Sequence, residues 1–377
     1  MRVLIAFDKF KDALTARQAG EAAAGALRAK HPDWQIDLCP LTDGGEGFCE
    51  ALTESARGRL EHFAVSGPHG GRVTAPVGFI PVESVPAAAR PHLPVGTSIA
   101  VVDLPSASGL ALLPPGQRDP WHTATFGTGE LLRHAAAGQP GAILLGIGGS
   151  ATNDLGLGAL AALGFHFLDA AGAAIAVPVP AMWERIQRID GAGLIQLPPV
   201  FIACDVTNHL LGARGATATF GPQKGLRAGD VPLLEAQAAR MAALLCDACG
   251  QPRTLADLPG TGAAGGIGFG LMAACGARLV PGFDLVSAWL DLPARLAAAD
   301  LVLTGEGRFD ATSLHGKGPG SLVAEARRLG KPVHVFAGSL GLPMDQQLHA
   351  ITPAGLHLAE ALPRTAELLA AAVARVL

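Results

Sequence analysis

The chain has 377 residues, a formal net charge of −4 and only 16% charged residues. The length allows about two or three domains, each with a core of its own. The charge balance argues against a nucleic-acid-binding surface, and no apolar run approaches the roughly 20 residues that a membrane helix needs. Asp8 and Lys9 follow the first strand too early for a signal peptide. We therefore expect a soluble, cytoplasmic protein without nucleic-acid or membrane partners.

The chain opens with the pattern of a β-α-β unit. Arg2–Phe7 is a continuous apolar run typical of a buried parallel strand. Thr15 and Gln18 have the spacing of a capping box, which predicts a helix start, and a second strand is predicted over Gln35–Leu41. Two such strands around a helix imply a parallel sheet with a right-handed crossover.

The sequence pattern changes over residues 59 to 115, where short β-like runs alternate with glycine and proline turns. Helix and strand patterns then return, and β-α-β order resumes in the last ninety or so residues. The later predicted elements are a helix at Gly129–Ala137, strands at Ala142–Leu145, Pro199–Ala203, Asp300–Leu303 and Val333–Ala337, and helices at Gly320–Leu329 and from Thr365.

Polar loops follow most of the predicted parallel strands. In doubly wound sheets the carboxyl ends of the strands form the ligand crevice, so these loops are expected to meet at one edge of a single sheet. They are Asp8, Asp43, the loop 146–154, the loop 304–310 and Gly338-Ser339. We predict an α/β fold in which a doubly wound parallel sheet domain (1–60, 118–155 and 285–377) is interrupted by a second α/β domain (61–117 and 156–284), with the active-site cleft between them.

The segment from Ala142 to Asp154 carries the strongest local signal. Gly146, Gly148 and Gly149 follow the strand and allow the backbone to turn with N–H groups facing an anion. The short polar side chains of Ser150, Thr152 and Asn153 come next, and Asp154 adds a carboxylate able to hold a cation. This set of groups suits a phosphate ester with its magnesium ion.

Other interpretations of these patterns remain open. Gly146–Ala151 also fits a dinucleotide-binding G-x-G-x-x-A, with Asp169 near the place of a ribose-binding acid. Asp8 is as consistent with a helix cap as with chemistry. No second pair of metal-binding residues accompanies Cys246 and Cys249. We therefore interpret them as ordinary reduced cysteines at the end of a helix.

Several blocks in fixed order make the chain resemble the bacterial glycerate kinases, type 1 family. The blocks are DKFKDALTA (8–16), TDGGEG (42–47), FGTGE (126–130), GIGGSATND (146–154), ACDVTN (203–208), FGPQKG (220–225), GAAGGIG (262–268) and TGEGRFD…HGK (304–317). The resemblance implies ATP-dependent phosphorylation of D-glycerate to 2-phosphoglycerate with Mg²⁺, and a flavodoxin-like domain carrying an inserted α/β domain. The chain departs from the family pattern at Lys9, commonly Ser, at Leu155, commonly Gly, and at Asp103, where many members have Glu.

The resemblance and the loop chemistry together suggest roles for individual residues. Phosphoryl transfer needs mainly positioning and charge neutralisation. The expected nucleotide contacts are Gly148, Gly149, Ser150, Thr152, Asn153, Gly305, Glu306 and Lys317, and the expected Mg²⁺ ligands are Asp43, Asp154 and Asp205. Lys11, Lys224 and Lys317 are expected to neutralise the γ-phosphate and the glycerate carboxylate, and Asp8 to accept the proton of the substrate hydroxyl.

Two other functions compete with the kinase. One is a nicotinamide-dependent oxidoreductase that uses the Gly146–Ala151 loop, and the other is a non-catalytic sensor of a small acid or nucleotide. ADP release that depends on glycerate would separate all three. The oligomeric state is expected to be monomer or homodimer.

Overall fold

The structure, a computed structural model, describes residues 1–42, 44–93, 98–311, 313, 318–342 and 346–377. Asp43 and Lys317, both predicted site residues, lie outside these ranges. Among the described residues, no helix combines the length and the apolar character needed to cross a membrane.

The described residues form strands and helices in alternation along much of the chain. Strands β1 to β13 are Arg2–Phe7, Gln35–Leu38, Arg59–Ser66, Arg72–Pro81, Ser98–Asp103, Ala142–Gly146, His166–Leu168, Arg188–Asp190, Val200–Ala203, Arg278–Val280, Leu301–Phe309, Val333–Leu340 and Leu348–Ala350. The α-helices are Ala16–Lys30, Phe48–Ser55, Pro105–Ser108, Phe126–Ala137, Leu157–Ala162, Ala216–Phe220, Val231–Cys249, Ile267–Cys275, Gly282–Trp289, Leu292–Ala298, Pro319–Arg328, Leu358–Ala361 and Thr365–Val376.

The chain divides into two compact units, of which the first comprises Met1–Asp43 and Val286–Leu377. Its sheet has the strand order β13-β12-β11-β1-β2, and every neighbouring pair is parallel. Numbered within the unit, this is the order 2-1-3-4-5 of a flavodoxin-like sheet. The central strand β1 is buried on both faces, as expected within a parallel sheet, with Leu4 and Ile5 at most 1% exposed. The flavodoxin-like part of the prediction is confirmed.

The first helix of this unit begins where the sequence predicts. The Thr15 hydroxyl accepts a hydrogen bond from the Gln18 backbone at 3.2 Å, and the Gln18 side chain accepts one from the Thr15 backbone at 2.9 Å. This reciprocal cap satisfies two N–H groups that a helix start leaves without partners. The apolar side of the helix, with Ala19, Ala23 and Leu27, packs into the same core as β1 and the C-terminal helix.

The second unit is the continuous segment Gly44–Leu285. Its main sheet has the order β10-β9-β6-β5-β4-β3, with parallel pairing from β10 to β5 and antiparallel pairing of β5 with β4 and β4 with β3. Strand β6 pairs with β5 on one side and β9 on the other. Residues 44–60 and 118–155 therefore belong to the inserted unit, not to the terminal domain to which their sequence pattern assigned them.

The same pairing corrects the expectation of one shared sheet edge. Asp8 directly follows β1, and Glu306 lies in β11, the neighbouring strand of the five-stranded sheet. The loop after β6 and Asp205 after β9 belong to the six-stranded sheet. The sequence pattern identified strands that end in polar loops, but it could not show which strands share hydrogen bonds.

Asp103, at the end of β5, is a fully buried acid. Its carboxylate accepts hydrogen bonds from the backbone of Cys49 at 3.0 Å and of Ser106 at 3.1 Å, and from the Ser106 hydroxyl. These bonds hold the starts of two helices against the end of the strand. Burial raises the pKa of Asp103 to about 6, against the opposing effect of these hydrogen bonds.

Asp103 should make the stability of the protein depend on pH. Its folded pKa of about 6 exceeds the ordinary aspartate value of 3.8, so between these values the folded chain binds more protons than the unfolded chain. The free energy of unfolding should therefore fall as pH rises from about 4 to 6, by up to ~3 kcal/mol from this group. Urea unfolding of wild type and Asp103→Asn over this range should show a pH-dependent difference, which the exposed Asp33→Asn control should lack. A constant difference would contradict the prediction.

Leu155 is buried in an unfavourable backbone conformation. Its φ is +55°, in the left-handed region, and its side chain is 1% exposed. Its N–H donates to Gly265 O at 2.9 Å, and a Cβ built on Gly266 would lie 3.4 Å from the Leu155 Cγ. The resemblance described above leads us to expect glycine at this position. The favourable packing of the buried leucine side chain offsets the energetic cost of its strained backbone conformation.

Truncation of Leu155 should separate these two effects. Leu155→Ala loses buried contacts, at a cost of ~2–5 kcal/mol in unfolding free energy, and keeps the strained φ. Leu155→Gly removes slightly more side chain but relieves roughly 1 kcal/mol of strain. We expect the glycine variant to be at least as stable as the alanine variant. At Leu160, a buried helical control, glycine should be the less stable by about 1 kcal/mol. If the glycine variant were less stable than the alanine variant at both positions, the backbone strain at Leu155 would be negligible.

Candidate functional site

In the first unit, four predicted site residues lie around the carboxyl end of β1, where Phe7 pairs with Gly305 of β11: they are Asp8, Lys11, Gly305 and Glu306. The Asp8 N–H donates to Gly305 O at 2.9 Å, which fixes Asp8 beside the Gly305-Glu306 segment. The Asp8 carboxylate accepts a hydrogen bond from the Lys9 backbone at 2.7 Å. A Cβ built on Gly307 would lie 3.1 Å from the Lys11 backbone N. In the 2-1-3-4-5 strand order, the strand order reverses between β1 and β11, which is where such sheets bind ligands.

The glycines of the TGEGRFD block serve the packing of the sheet itself. A Cβ on Gly305 would lie 1.8 Å from the carbonyl oxygen of Phe336 on the neighbouring strand. Arg308 pairs with Asp310, with 3.0 Å between Nε and Oδ2. The close approach of β11 and β12 therefore explains Gly305 without a nucleotide, and Glu306 is left as the predicted ligand contact of this block.

In the second unit, two glycine-rich blocks pack backbone against backbone. The Gly148 N–H donates to Gly44 O at 2.9 Å, and a Cβ on Gly146 would lie 2.5 Å from the same oxygen. The Gly148 N–H is therefore bonded to a neighbouring loop, and its predicted part in a phosphate cradle would require this hydrogen bond to break. Gly149 is exposed, has a φ of +77° and lies against the partly buried Glu46 side chain. The surface of this edge is formed by Gly149 and Glu46.

The polar side chains after this turn point into the protein. Ser150 is 6% exposed, Thr152 0% and Asn153 1%. Asn153 Nδ2 lies 3.2 Å from the Thr217 hydroxyl, to which it donates a hydrogen bond. This burial argues against the predicted direct contact of Thr152 and Asn153 with a nucleotide.

Asp154 supports the backbone of the loop. Its Oδ2 accepts hydrogen bonds from the Thr125 backbone and hydroxyl, both at 2.8 Å, and from the Gly158 backbone at 3.2 Å, while its Oδ1 accepts from the Gly156 backbone at 3.2 Å. The side chain is fully buried, and burial raises its pKa against the lowering effect of these donors. Both oxygens accept hydrogen bonds from the protein, so the predicted coordination of Mg²⁺ by Asp154 would require these donors to be displaced.

Lys224 is also buried and does not face solvent. It lies in the turn Pro222–Lys224, is 1% exposed, and its ammonium donates to Thr152 O at 2.5 Å. Burial lowers the pKa of Lys224 to about 7, and the Asp154 carboxylate acts in the opposite direction. This position does not support the predicted neutralisation of the γ-phosphate by Lys224.

Asp205 keeps a position suited to chemistry. It follows β9, is partly exposed, and its Oδ2 accepts a hydrogen bond from the Phe283 backbone at 2.8 Å. A Cβ on Gly282 would lie 3.2 Å from this oxygen, so the glycine leaves room for the carboxylate.

Some supporting residues escaped the sequence reasoning. Thr125 precedes the FGTGE block, and nothing in its local pattern indicates that it bonds Asp154. A Cβ on Gly265, in the GAAGGIG block, would lie 2.1 Å from Thr152 O, so this block forms the support behind the GIGGSATND loop. Glu46 had a signal, since three glycines surround it in TDGGEG, but it was not assigned a role.

The dinucleotide interpretation of Gly146–Ala151 is not supported. In that fingerprint a helix begins within the glycine turn and carries the pyrophosphate. Here the helix begins only at Leu157, after the buried residues 150–155. The thiol pair Cys246 and Cys249 ends a helix; none of the six cysteines forms a disulfide, and burial raises the pKa of Cys249 to about 11.

The donor groups are compatible with Mg²⁺ that is bound mainly by substrate. Within the described ranges, no three His, Cys, Asp or Glu side chains lie close enough together to hold a metal ion. Mg²⁺ in kinases is commonly held by one or two carboxylates together with phosphate oxygens and water. A single partly exposed carboxylate such as Asp205 fits that mode.

Comparison with known proteins identifies the family. The model of the glycerate kinase family matches residues 3–377. The chain is 35% identical to a glycerate kinase of Bacillus subtilis (strain 168), over 99% of this chain and 98% of that protein, and 37% identical to a glycerate 2-kinase of Escherichia coli (strain K12), over 90% and 86%. A crystal structure named as glycerate kinase 2 from Salmonella typhimurium LT2 superposes with a TM-score of 0.73 at 39% identity, covering 100% of this chain and 97% of that one. The chain therefore belongs to the glycerate kinase family.

Proposed function

We propose that the protein transfers the γ-phosphoryl group of ATP to D-glycerate. The observation that carries this proposal is the family match over residues 3–377, with relatives named as glycerate kinases that align with nearly the whole chain. The grouping of Asp8, Lys11 and Glu306 at the point where the strand order of the flavodoxin-like sheet reverses agrees with it. An oxidoreductase and a non-catalytic sensor have no comparable support.

Asp8 is the proposed acceptor of the proton from the reacting hydroxyl. Its carboxylate is partly exposed at the end of β1 and is oriented by the Lys9 backbone N–H. A carboxylate that hydrogen-bonds an alcohol is the usual base of a kinase. Lys11 is exposed nearby and carries a positive charge suited to the glycerate carboxylate or a phosphate.

Mg²⁺ is proposed to accompany ATP, and it would neutralise the charge on the phosphate oxygens. Among the described residues, Asp205 is the proposed carboxylate ligand of Mg²⁺. Asp43 stays a predicted Mg²⁺ ligand and Lys317 a predicted phosphate contact, and both lie outside the described residues. We propose that the reaction takes place in the cytoplasm and that the protein is a monomer or a homodimer.

Phosphorylation is proposed at the 2-hydroxyl, because one relative is named glycerate 2-kinase. Coupled ADP release with D-glycerate tests the activity, and ³¹P NMR of the product tests the position. A phosphate on C2 is coupled to one proton and gives a doublet, whereas a phosphate on C3 is coupled to two protons and gives a triplet. A triplet would move the reaction to the 3-hydroxyl, and the absence of glycerate-dependent ADP release would refute the proposed function.

Replacement of the proposed base tests its role directly. Asp8→Asn keeps the size of the side chain but cannot accept the proton, so kcat should fall by at least ~10²-fold. Asp12→Asn is the matched control, because Asp12 is exposed in the same stretch and its φ of +61° is one that asparagine tolerates. Its kcat should stay near that of the wild type. A near-normal kcat for Asp8→Asn would remove Asp8 from this role.

A further inference from the structure

The outer strand of the six-stranded sheet is β3, whose strand partner among the described residues is β4. The two strands are antiparallel, and His62 lies opposite Pro76, which has no N–H group. At the end of the same ladder, the Gly67 N–H donates to Gly71 O at 2.5 Å. Because backbone groups alternate along a strand, the odd-numbered residues of β3 face β4 and the even-numbered residues face outward.

Two of the outward backbone groups of β3 are bonded by one ion pair. The Ala64 carbonyl oxygen accepts a hydrogen bond from the Arg72 guanidinium, and the Ser66 N–H donates to Glu130 Oε2 at 2.6 Å. The two charged side chains also meet each other, with 3.4 Å between Arg72 Nη1 and Glu130 Oε1. The ion pair therefore covers the last two outward positions of the strand.

The helix Phe126–Ala137 places Glu130 at this edge. A Cβ on Gly127 would lie 1.7 Å from Ser66 O, so the start of the helix touches the strand directly. Further along the helix, the His134 ring stacks on Phe63, with 4.0 Å between the ring centroids. Glu130 lies between these two contacts. Two residues of the FGTGE block thus take part in the edge of the sheet.

Stability does not explain this arrangement. The Arg72 side chain is 61% exposed and that of Glu130 is 22% exposed. Ion pairs near the surface usually contribute little to the free energy of unfolding. The more direct consequence concerns association, since the outward N–H and C=O groups of an edge strand can pair with another chain.

The partner that this edge fits is a second copy of the chain. About a twofold axis through the middle of β3, the four outward residues would lie opposite those of the copy, Leu60 with Ser66 and His62 with Ala64. Each such pair exchanges two hydrogen bonds, and the exchange uses the Ser66 N–H and the Ala64 carbonyl oxygen. The ion pair already holds these two groups.

We propose that the ion pair of Arg72 and Glu130 closes the edge of β3 to a second copy of the chain. Removal of either side chain exposes a backbone group that the copy can bond, and the sheet then extends across the two copies. The inference is independent of the proposed kinase reaction, because neither side chain belongs to its proposed site.

The test compares the self-association of Arg72→Gln with that of the wild type by sedimentation velocity over a wide range of protein concentration. The apparent association constant of Arg72→Gln should rise at least ~10-fold, because two symmetric hydrogen bonds become available. Arg59→Gln is the matched control, because it removes the same charge from the same hairpin, at a side chain that lies over the Phe79 ring. Its association constant should equal that of the wild type.

A proline at position 64 separates edge pairing from other modes of association. Ala64 is exposed and its N–H faces outward, so Ala64→Pro should be tolerated, but it removes one donor and obstructs a pairing strand. The double variant Arg72→Gln/Ala64→Pro should return to the association constant of the wild type.

The outcomes decide the inference. An Arg72→Gln protein that associates no more than the wild type overturns it, as does association that persists in the double variant. If Arg72→Gln does not fold, Glu130→Ala decides, because it exposes the Ser66 N–H and should raise the association constant by a similar factor.

Discussion

The polar loop of the second unit depends on the hydrogen bonds that the buried carboxylate of Asp154 accepts. Four hydrogen bonds reach it, two from Thr125 and one each from the backbones of Gly156 and Gly158. They join the start of one helix, the end of the glycine-rich loop and the start of the next helix. A carboxylate without these donors could not remain in a site with no solvent exposure, because the desolvation of an unpaired charge costs several kcal/mol.

The glycines around this carboxylate make the close packing of loops possible. Gly44 and Gly148 share a backbone hydrogen bond, and Gly265 approaches Thr152 too closely for any side chain. Blocks that are far apart in the sequence are thus adjacent in the second unit. Their shared glycine content follows from contact with one another more than from contact with a phosphate. Leu155 differs from these glycines, because it is a buried leucine with a left-handed backbone conformation.

The candidate site could be predicted from the sequence only in part. Asp8 and Asp205 follow strands, as expected, and both are partly exposed at sheet edges. Thr152, Asn153, Asp154 and Lys224 were also expected to face ligand, but they are buried. Residue type and spacing indicate that a polar side chain is needed at a position. They do not distinguish a side chain that contacts a ligand from one that supports the backbone behind it, because both uses require the same donors and acceptors.

The sequence by itself determined the local elements and the family. The apolar run Arg2–Phe7, the capping box at Thr15 and the helix from Thr365 are all where the pattern predicts, because each depends on neighbouring residues. Tertiary structure alone decided that β6 pairs with β5 and β9, which moved residues 118–155 into the inserted unit. It also decided that Asp154 and Lys224 are buried. Strand pairing and burial depend on contacts between residues distant in the chain, and periodicity within one segment carries no information about those partners.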